Sequence, residues 1–340
     1  SAFLHAAAVV KAGVYLLMRF SGLFESVTAW HLTLIVVGMG TAVMGAVFAL
    51  QKTDLKKLTA YSTVSQLGWI VATIGVGTPF ALAMALVHTA SHALFKSSLF
   101  MIAGVVDHQA GSRDIKRLGP LWRRMPFTFG GAVIAAASMA AVPPTFGFVS
   151  KEGMLDAFTE SPLPEWGIIV LLAIAGIGAV FTLLYSARYI TGAFIDGPRD
   201  VSEVKEAEPL MWLPAIFPGV LSLPVVLFLS AFDEPLDAMV AATGAGHSHS
   251  HLALWHGLTV PLYISIAVLI VGAIGVAFRA RISALLEGRR LAPRSGAEFL
   301  SGSNERATNI ARRMATMANS QSPDRHVAWI LLLIVGLAVA

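Results

Sequence analysis

Long apolar runs alternate with short polar stretches along this chain, and the runs reach the ~20 residues that a helix needs to cross a bilayer. The pattern predicts spans over Ala2–Leu17, His31–Leu50, Leu58–Val76, Pro79–Val106, Phe127–Glu160, Trp166–Phe194, Pro209–Phe232 and Leu258–Phe278, with a truncated ninth beginning near Val327. The fifth is too long for one straight helix and contains Pro143-Pro144, Gly147 and the charged pair Lys151-Glu152. Proline removes an amide donor and clashes with the preceding turn, so this segment is predicted to be two half-helices around a break. The fold class expected is an all-α polytopic membrane protein of about eight spans plus the truncated ninth.

Composition narrows the class. Apolar residues make up 56% of the 340 and charged residues only 13%, about half the charged share of a soluble domain. Nucleic-acid binding, disorder and a disulfide scaffold are disfavoured together, and the absence of cysteine removes thiolate catalysis and Cys-ligated metals. The apolar helix beginning beside Ser1 lacks the basic region and cleavage site of a signal peptide. The run Ala328 to Ala340 is too short to span. Both ends read as cut, so a piece of a longer chain is expected.

The charges sort by side. Lys52, Lys56 and Lys57, then Arg113, Lys116, Arg117, Arg123 and Arg124, fall in loops or helix ends on one side if the fifth segment crosses once. Arg188, Arg199, Lys205 and the nine Arg from Arg279 to Arg325 join them, which makes 20 of 24 basic residues. Arg19 alone lies opposite. By the positive-inside rule the basic loops are cytoplasmic in a cell inner (plasma) membrane, and the first helix begins there.

Three lysines remain, Lys11, Lys96 and Lys151, all inside predicted spans. A charge at that depth costs at least about 2.5–3.5 kcal/mol and needs a partner, water or a lost proton, unless the side chain snorkels to the interface. His88, His92 and Lys96 are spaced i, i+4, i+8, which places them along one side of a helix over about 12 Å. Histidine can accept and donate a proton near physiological pH, so this row suits a proton wire. A metal site is the alternative, but that helix has no Glu and the chain has no Cys; no metal or cofactor is expected. A purely structural polar seam is the third reading. Ser62, Ser65 and Gln66 on the preceding helix supply polar neighbours, whether for a hydrated interior or for ordinary interhelical hydrogen bonds. His5 and Lys11, six positions apart, point to different faces.

The predicted break is the other strong signal, because irregular backbone at membrane depth must be buried in protein or line water. Lys151 and Glu152 follow it within about one and a half turns, as ionisable groups do at the discontinuous helices of ion transporters. The alternative, an ordinary loop with interfacial charges, would flip everything downstream and destroy the basic asymmetry. The tract His247-Ser-His249-Ser-His251 with His256 reads as a solvated outer loop or a weak metal site. Residues 279–325 read as an amphipathic surface segment or a solvated linker.

Four runs together carry a resemblance: Ala2 to Gly13, with His5 and Lys11; Thr53 to Gly68, with Lys56, Lys57 and the polar run; His88 to Lys96; and Gly147 to Glu152. They resemble the antiporter-like subunits shared by respiratory complex I and Mrp-type cation/proton antiporters, closely over residues 1 to about 232. Asp107-His108 ahead of Gly111-Ser112-Arg113-Asp114, and Leu254-Trp255-His256-Gly257 opening a helix, point within that superfamily to the large A subunits of Mrp antiporters. Complex I relatives usually lack a lysine at the place of Lys11.

The resemblance implies a core of two inverted five-helix repeats, each with a broken helix, of which this chain would hold the last helix of the first and all of the second, with its break near 143–152. It implies a hydrophilic axis onto which His5, Lys11, Lys56 or Lys57, His88, His92, Lys96 and Lys151 map, with Glu152 beside them. The family's Glu–Lys pair of the first repeat would lie upstream. The domains expected are an antiporter-like core over 1–232, an external loop over 233–257, and further membrane helices over 258–340 with a basic cytoplasmic segment at 279–326.

The function expected is that of a secondary transporter component rather than an enzyme: proton influx driving a monovalent cation, sodium, outward through a Lys/His relay. Its partners would be other subunits of a hetero-oligomeric membrane complex, protons, monovalent cations and the lipid bilayer, and not nucleic acid. The alternatives are a proton-pumping subunit of a complex I-like NADH-quinone oxidoreductase or membrane hydrogenase, and a non-transporting scaffold, which would gain nothing from three intramembrane lysines.

Overall fold

The computed structural model describes Leu4 and residues 6–248, 250–255, 257–286, 296–318 and 323–339. It divides into two compact units, Ser1–Glu287 and Gly288–Ala340. Among the described residues the regular structure is helical apart from one isolated bridge between Asp54 and Asp114.

The first unit holds eleven α-helices: α1 Ala12–Ser21, α2 Thr28–Gln51, α3 Leu55–Val76, α4 Pro79–Ala110, α5 Pro126–Met139, α6 Phe146–Thr159, α7 Glu165–Ile190, α8 Pro209–Val220, α9 Asp233–Ala241, α10 Val260–Ala277 and α11 Arg279–Leu286. Length and apolarity mark α2, α4, α10 and α7 with its π-helical extension to Ile195 as membrane spans, and α8 with the segment Pro224–Ala241 as a bent one. This is a multi-pass membrane protein.

Local chemistry sets the helix ends. Asp54 caps α3 by accepting the Lys57 amide, and Gly77 closes it with φ +86°. Pro79 begins α4, where its missing amide leaves no bond unmade, and Thr78 accepts from Ala81. A carboxylate from a distant loop serves α5: Glu206 accepts the Phe127 and Thr128 amides at 2.9 and 3.2 Å, which suits the positive end of a helix.

Helices α2 and α3 pack without intervening side chains. A Cβ added at Gly38, Gly45, Gly68 or Gly75 would come within 2.5–2.8 Å of a backbone nitrogen across the seam, the close approach that small residues allow in membranes. Two apolar clusters form the core, one around Trp69, Ile70 and Phe158 and the other around Phe95, Leu99 and Tyr185. On α3 and α4 the polar residues fall between the two clusters, so a polar band crosses the bundle at mid-height.

The predicted break is present: α5 ends at Met139, α6 starts at Phe146, and the Gly147 amide donates to the Ser138 hydroxyl at 3.2 Å. A Cβ on Gly147 would lie 1.7 Å from the Ser138 carbonyl oxygen, so only glycine fits.

Two predicted spans prove to be interrupted. Ala2–Leu17 was expected to be one helix, but the backbone leaves it at Ala7 and Ala8 and a 3-10 turn over Val9–Lys11 precedes α1. No proline or glycine marks the place. The span Pro209–Phe232 bends by 51° between α8 and the 3-10 segment that starts at Pro224, where a proline supplies no amide to continue the ladder. Beyond it, α9 occupies part of the segment expected to be loop.

The second unit contains α12, Gly296–Ala318, and α13, Pro323–Val339. Leu300, Ile310 and Met314 are exposed on one stripe of α12 against otherwise polar residues, the amphipathic character expected for that stretch.

Candidate functional site: a buried polar band

Polar side chains from five segments meet between the apolar clusters. His92 and Lys96 are 0% exposed, His88 1%, Lys151 3% and Lys11 8%. Burial of this degree excludes snorkelling for the lysines. The Lys96 ammonium donates to the Ser62 hydroxyl and, at 3.3 Å, to the Thr59 carbonyl on α3. Lys11, at the start of α1, reaches across to the Thr89 carbonyl of α4 at 2.6 Å. The turn at Ala7–Lys11 is what aims it there, and it joins a residue that periodicity alone left unconnected to the α4 row.

His88 is the junction of the band. One ring nitrogen lies 2.9 Å from Ser150 Oγ on α6 and the other 2.9 Å from Gln66 Oε1 on α3. The Gln66 amide donates to the Tyr185 hydroxyl on α7 at 2.6 Å. With Nε2–H donating to Gln66, the Nδ1 lone pair accepts from Ser150, a tautomer chosen by the partners. His92 packs edge-on against Phe95, with centroids 5.4 Å apart, and its ring nitrogens make no well-formed hydrogen bond to protein. Lys151 makes none either and sits over the Trp69 ring, 4.7 Å from its centroid, where the ring face attracts a cation.

Not every expected residue joins the band. Lys57 is exposed, with only its amide engaged, on Asp54. Lys56 pairs with Asp107 at 3.7 Å within a charged cluster at the basic end of α3 and α4. There Arg113 binds Asp54 at 2.5 Å and Asp107 at 3.5 Å. Partial burial pushes the Asp54 carboxyl up, but the Arg113 hydrogen bond, the Lys57 amide and the Arg113 charge outweigh it and hold it below the usual range. Ser65 donates to the Ala42 carbonyl at 2.7 Å and serves the α2–α3 seam. His5 lies outside the described residues. Glu152 is buried and, with Asp156 and His251, lines a cavity of about 100 Å³ beside α6 on the side away from the basic loops.

Sequence reasoning missed Tyr185, Ser150, Thr89 and Trp69. Tyr185-Ser186 within an aliphatic run was a signal for the first; the others needed the packing.

In the outer tract, His247 binds Asp237 and His251 binds Asp233, each at 2.8 Å. His249 and His256 lie outside the described residues. Among the described residues no three His, Cys, Asp or Glu converge as a metal-ligand set.

A bundle with one broken helix and a lysine–histidine band at mid-height defines an ion- or proton-conducting membrane protein. Residues 1–182 match the model of the transmembrane NADH:quinone oxidoreductase/Mrp antiporter family, and the chain belongs to that family. It is 38% identical over 294 residues to the A/B subunit of a probable K(+)/H(+) antiporter of Rhizobium meliloti, covering 85% of this chain and 29% of that one. It is 35% identical over 302 residues to the large A-type component of the Na(+)/H(+) antiporter of Bacillus subtilis, covering 81% and 38%. The fold matches a chain of the Mrp complex from Dietzia sp. with TM-score 0.90 and 44% identity, covering 100% of this chain and 37% of that one. An archaeal membrane-bound sulfane sulfur reductase shares the fold at TM-score 0.61 and 21% identity, covering 91% and 56%. The chain thus spans about a third of the length of the antiporter proteins to which it is homologous.

Proposed function

We propose that this chain is the proton-relaying part of the large A-type component of an Mrp-type cation/proton antiporter, working with other subunits of a hetero-oligomeric complex. The observation that carries this reading is the enclosure of three lysines and two histidines, from α1, α4 and α6, in one buried band at mid-height. A scaffold gains nothing from such a band, since each buried charge costs stability.

The relay runs along α4 and turns onto α6. A proton reaching Lys151 from the cavity that Glu152 and Asp156 line has Ser150 and His88 one residue away. His88 accepts on one nitrogen and releases from the other. His92 and Lys96 follow at steps of about 6 Å, which a bridging water or a lysine swing covers. Lys11 beside Thr89 sets the charge that neighbouring members feel. Lys56 and Lys57 stand at the cytoplasmic mouth, and His5 precedes the Lys11 turn. Ser62, Ser65 and Gln66 orient the band and hold its backbone.

Residues 1–232 form the transporting core, 233–257 face outward, and 258–340 add membrane helices with a basic cytoplasmic segment, in a plasma membrane. The exported cation is sodium, named for the Bacillus and Staphylococcus relatives, whereas the Rhizobium relative is named for potassium. The test uses inverted vesicles holding the complete complex and an imposed pH gradient. Sodium addition dissipates the gradient without any electron donor, and Lys96→Ala abolishes this while the complex still assembles. A response to potassium alone would move the cation assignment. Proton movement only on adding NADH or hydrogen would establish the redox-pump reading instead.

A further inference from the structure

A second feature of the chain lies away from the polar band, on the lipid-facing seam between α7 and α10. At the basic end of that seam a cavity of about 440 Å³ is lined by Lys116, Arg188 and Arg279 with a single carboxylate, Asp196. Three cations against one anion leave it net positive. Asp196 is already engaged, binding Arg279 at 3.0 and 2.9 Å. Arg188 is oriented by neutral groups, the Lys52 carbonyl at 3.2 Å and the Ser283 hydroxyl. Lys116 is exposed at the rim.

Deeper along the same two helices lies an apolar groove of about 350 Å³. The two spaces are in register. On α7 the groove is lined by Ala173, Gly176 and Val180 and the cavity by Leu184 and Ala187; on α10 the groove is lined by Ile264, Ala267 and Val271 and the cavity by Gly275. Spacings of three and four place each set on one helix face. Ile177 and Val271 beside the groove are 53% and 52% exposed, so it opens outward. From Ala173 to Arg188 the seam runs about 22 Å at the α-helical rise, which matches one leaflet with its headgroups, half of the ~40–45 Å bilayer.

We infer that this seam binds one anionic phospholipid of the leaflet on the basic side, its phosphate among Lys116, Arg188 and Arg279 and one acyl chain in the groove below. Basic pockets between membrane helices hold anionic headgroups in this way. A free phosphate would not use the apolar groove, and a neutral lipid would not use the cations. The inference does not depend on the relay.

The test is native mass spectrometry of the complete complex released from nanodiscs containing phosphatidylcholine with a minor share of phosphatidylglycerol. One phosphatidylglycerol per complex is retained in preference to phosphatidylcholine. Lys116→Ala and Arg188→Gln each weaken that preference about fivefold, as expected for one cation near the surface. Ala173→Trp, at an exposed position that leaves the core untouched, fills the groove and removes the retained lipid altogether. Equal retention of both lipids by the wild type would overturn the inference. So would retention unchanged in all three variants, as when a partner helix covers the seam, or displacement by millimolar glycerophosphate, which would mark a soluble-anion site.

Discussion

Lysines occupy two contrasting settings in this chain. At the basic end of α3, Lys56 stands 43% exposed opposite a carboxylate that also faces Arg113. About two turns further along the bundle, Lys96 is fully buried and held by a hydroxyl and a carbonyl. The exposed cluster sits in high dielectric, where each ion pair contributes ~0–1 kcal/mol and salt screens it. It ties the start of α3 to the loop after α4, helped by the bridge hydrogen bonds Leu55 to Arg113 and Ile115 to Thr53 at 3.0 and 2.9 Å. The buried lysine has no such screening. Its charge is unfavourable where it stands unless a proton departs or water arrives. Type and number of charges are similar in the two places; the surroundings make one a fastening and the other a site of proton exchange.

The comparison can be broken most decisively at Lys96. Lys96→Met keeps the volume and removes the ammonium, so sodium-driven proton release in vesicles should fall by about 10²–10⁴, the usual worth of a positioned proton-transfer group, with thermal stability of the complex kept or raised. A loss of assembly instead would mean that the charge holds the helices together. Next in size is Trp69→Leu, which removes the ring under Lys151. Cation–π attraction in a desolvated site amounts to about 2 kcal/mol, so exchange should drop up to about thirtyfold and its pH profile should move, a readout that lost packing alone would not shift.

Smaller effects belong to the exposed cluster. Asp54→Asn should lower stability by at most about 1 kcal/mol after solvent screening, measured as a modest fall in melting temperature with exchange retained. Because the Asp54 carboxyl is held below its usual range, its contribution is present above pH ~4, the ordinary carboxylate value, and fades as pH falls further. In the Asn variant that acid-side loss should disappear. Smallest of all is Lys57→Ala. The exposed side chain predicts a stability change within about 0.5 kcal/mol and exchange lowered by no more than about fivefold. A larger loss would move Lys57 from the mouth of the relay into its working row.

What could be read from residues alone follows the range of the interactions involved. The α4 row was legible because helical periodicity fixes which side chains share a face, and the break ahead of α6 was legible because Pro143-Pro144 and Gly147 announce it locally. The turn at Ala7–Lys11 was not, since a run of alanines and valines carries no breaker and only the neighbouring α4 shows where Lys11 is aimed. Tyr185 and Trp69 were invisible for the same reason: in sequence they look like core aromatics, and only packing shows one meeting Gln66 and the other Lys151. Lys56 and Lys57 show the converse. Their place in a family pattern suggested the axis, while the capping of α3 by Asp54 leaves Lys57 at the helix mouth.

The two interrupted helices touch where they are interrupted. Freed from a helical partner by the break, the Phe146 amide donates to the Ser222 carbonyl, at 3.0 Å, in the bend that follows α8. Phe146 also stacks on Phe232, with ring centroids 6.4 Å apart. The first residue of α6 therefore travels with the bent span, like the pin of a crank. Pressure on the outward-facing Leu227 and Phe228 of that span is delivered five residues from Lys151, so a neighbour could advance or withdraw the ammonium without ever entering the bundle.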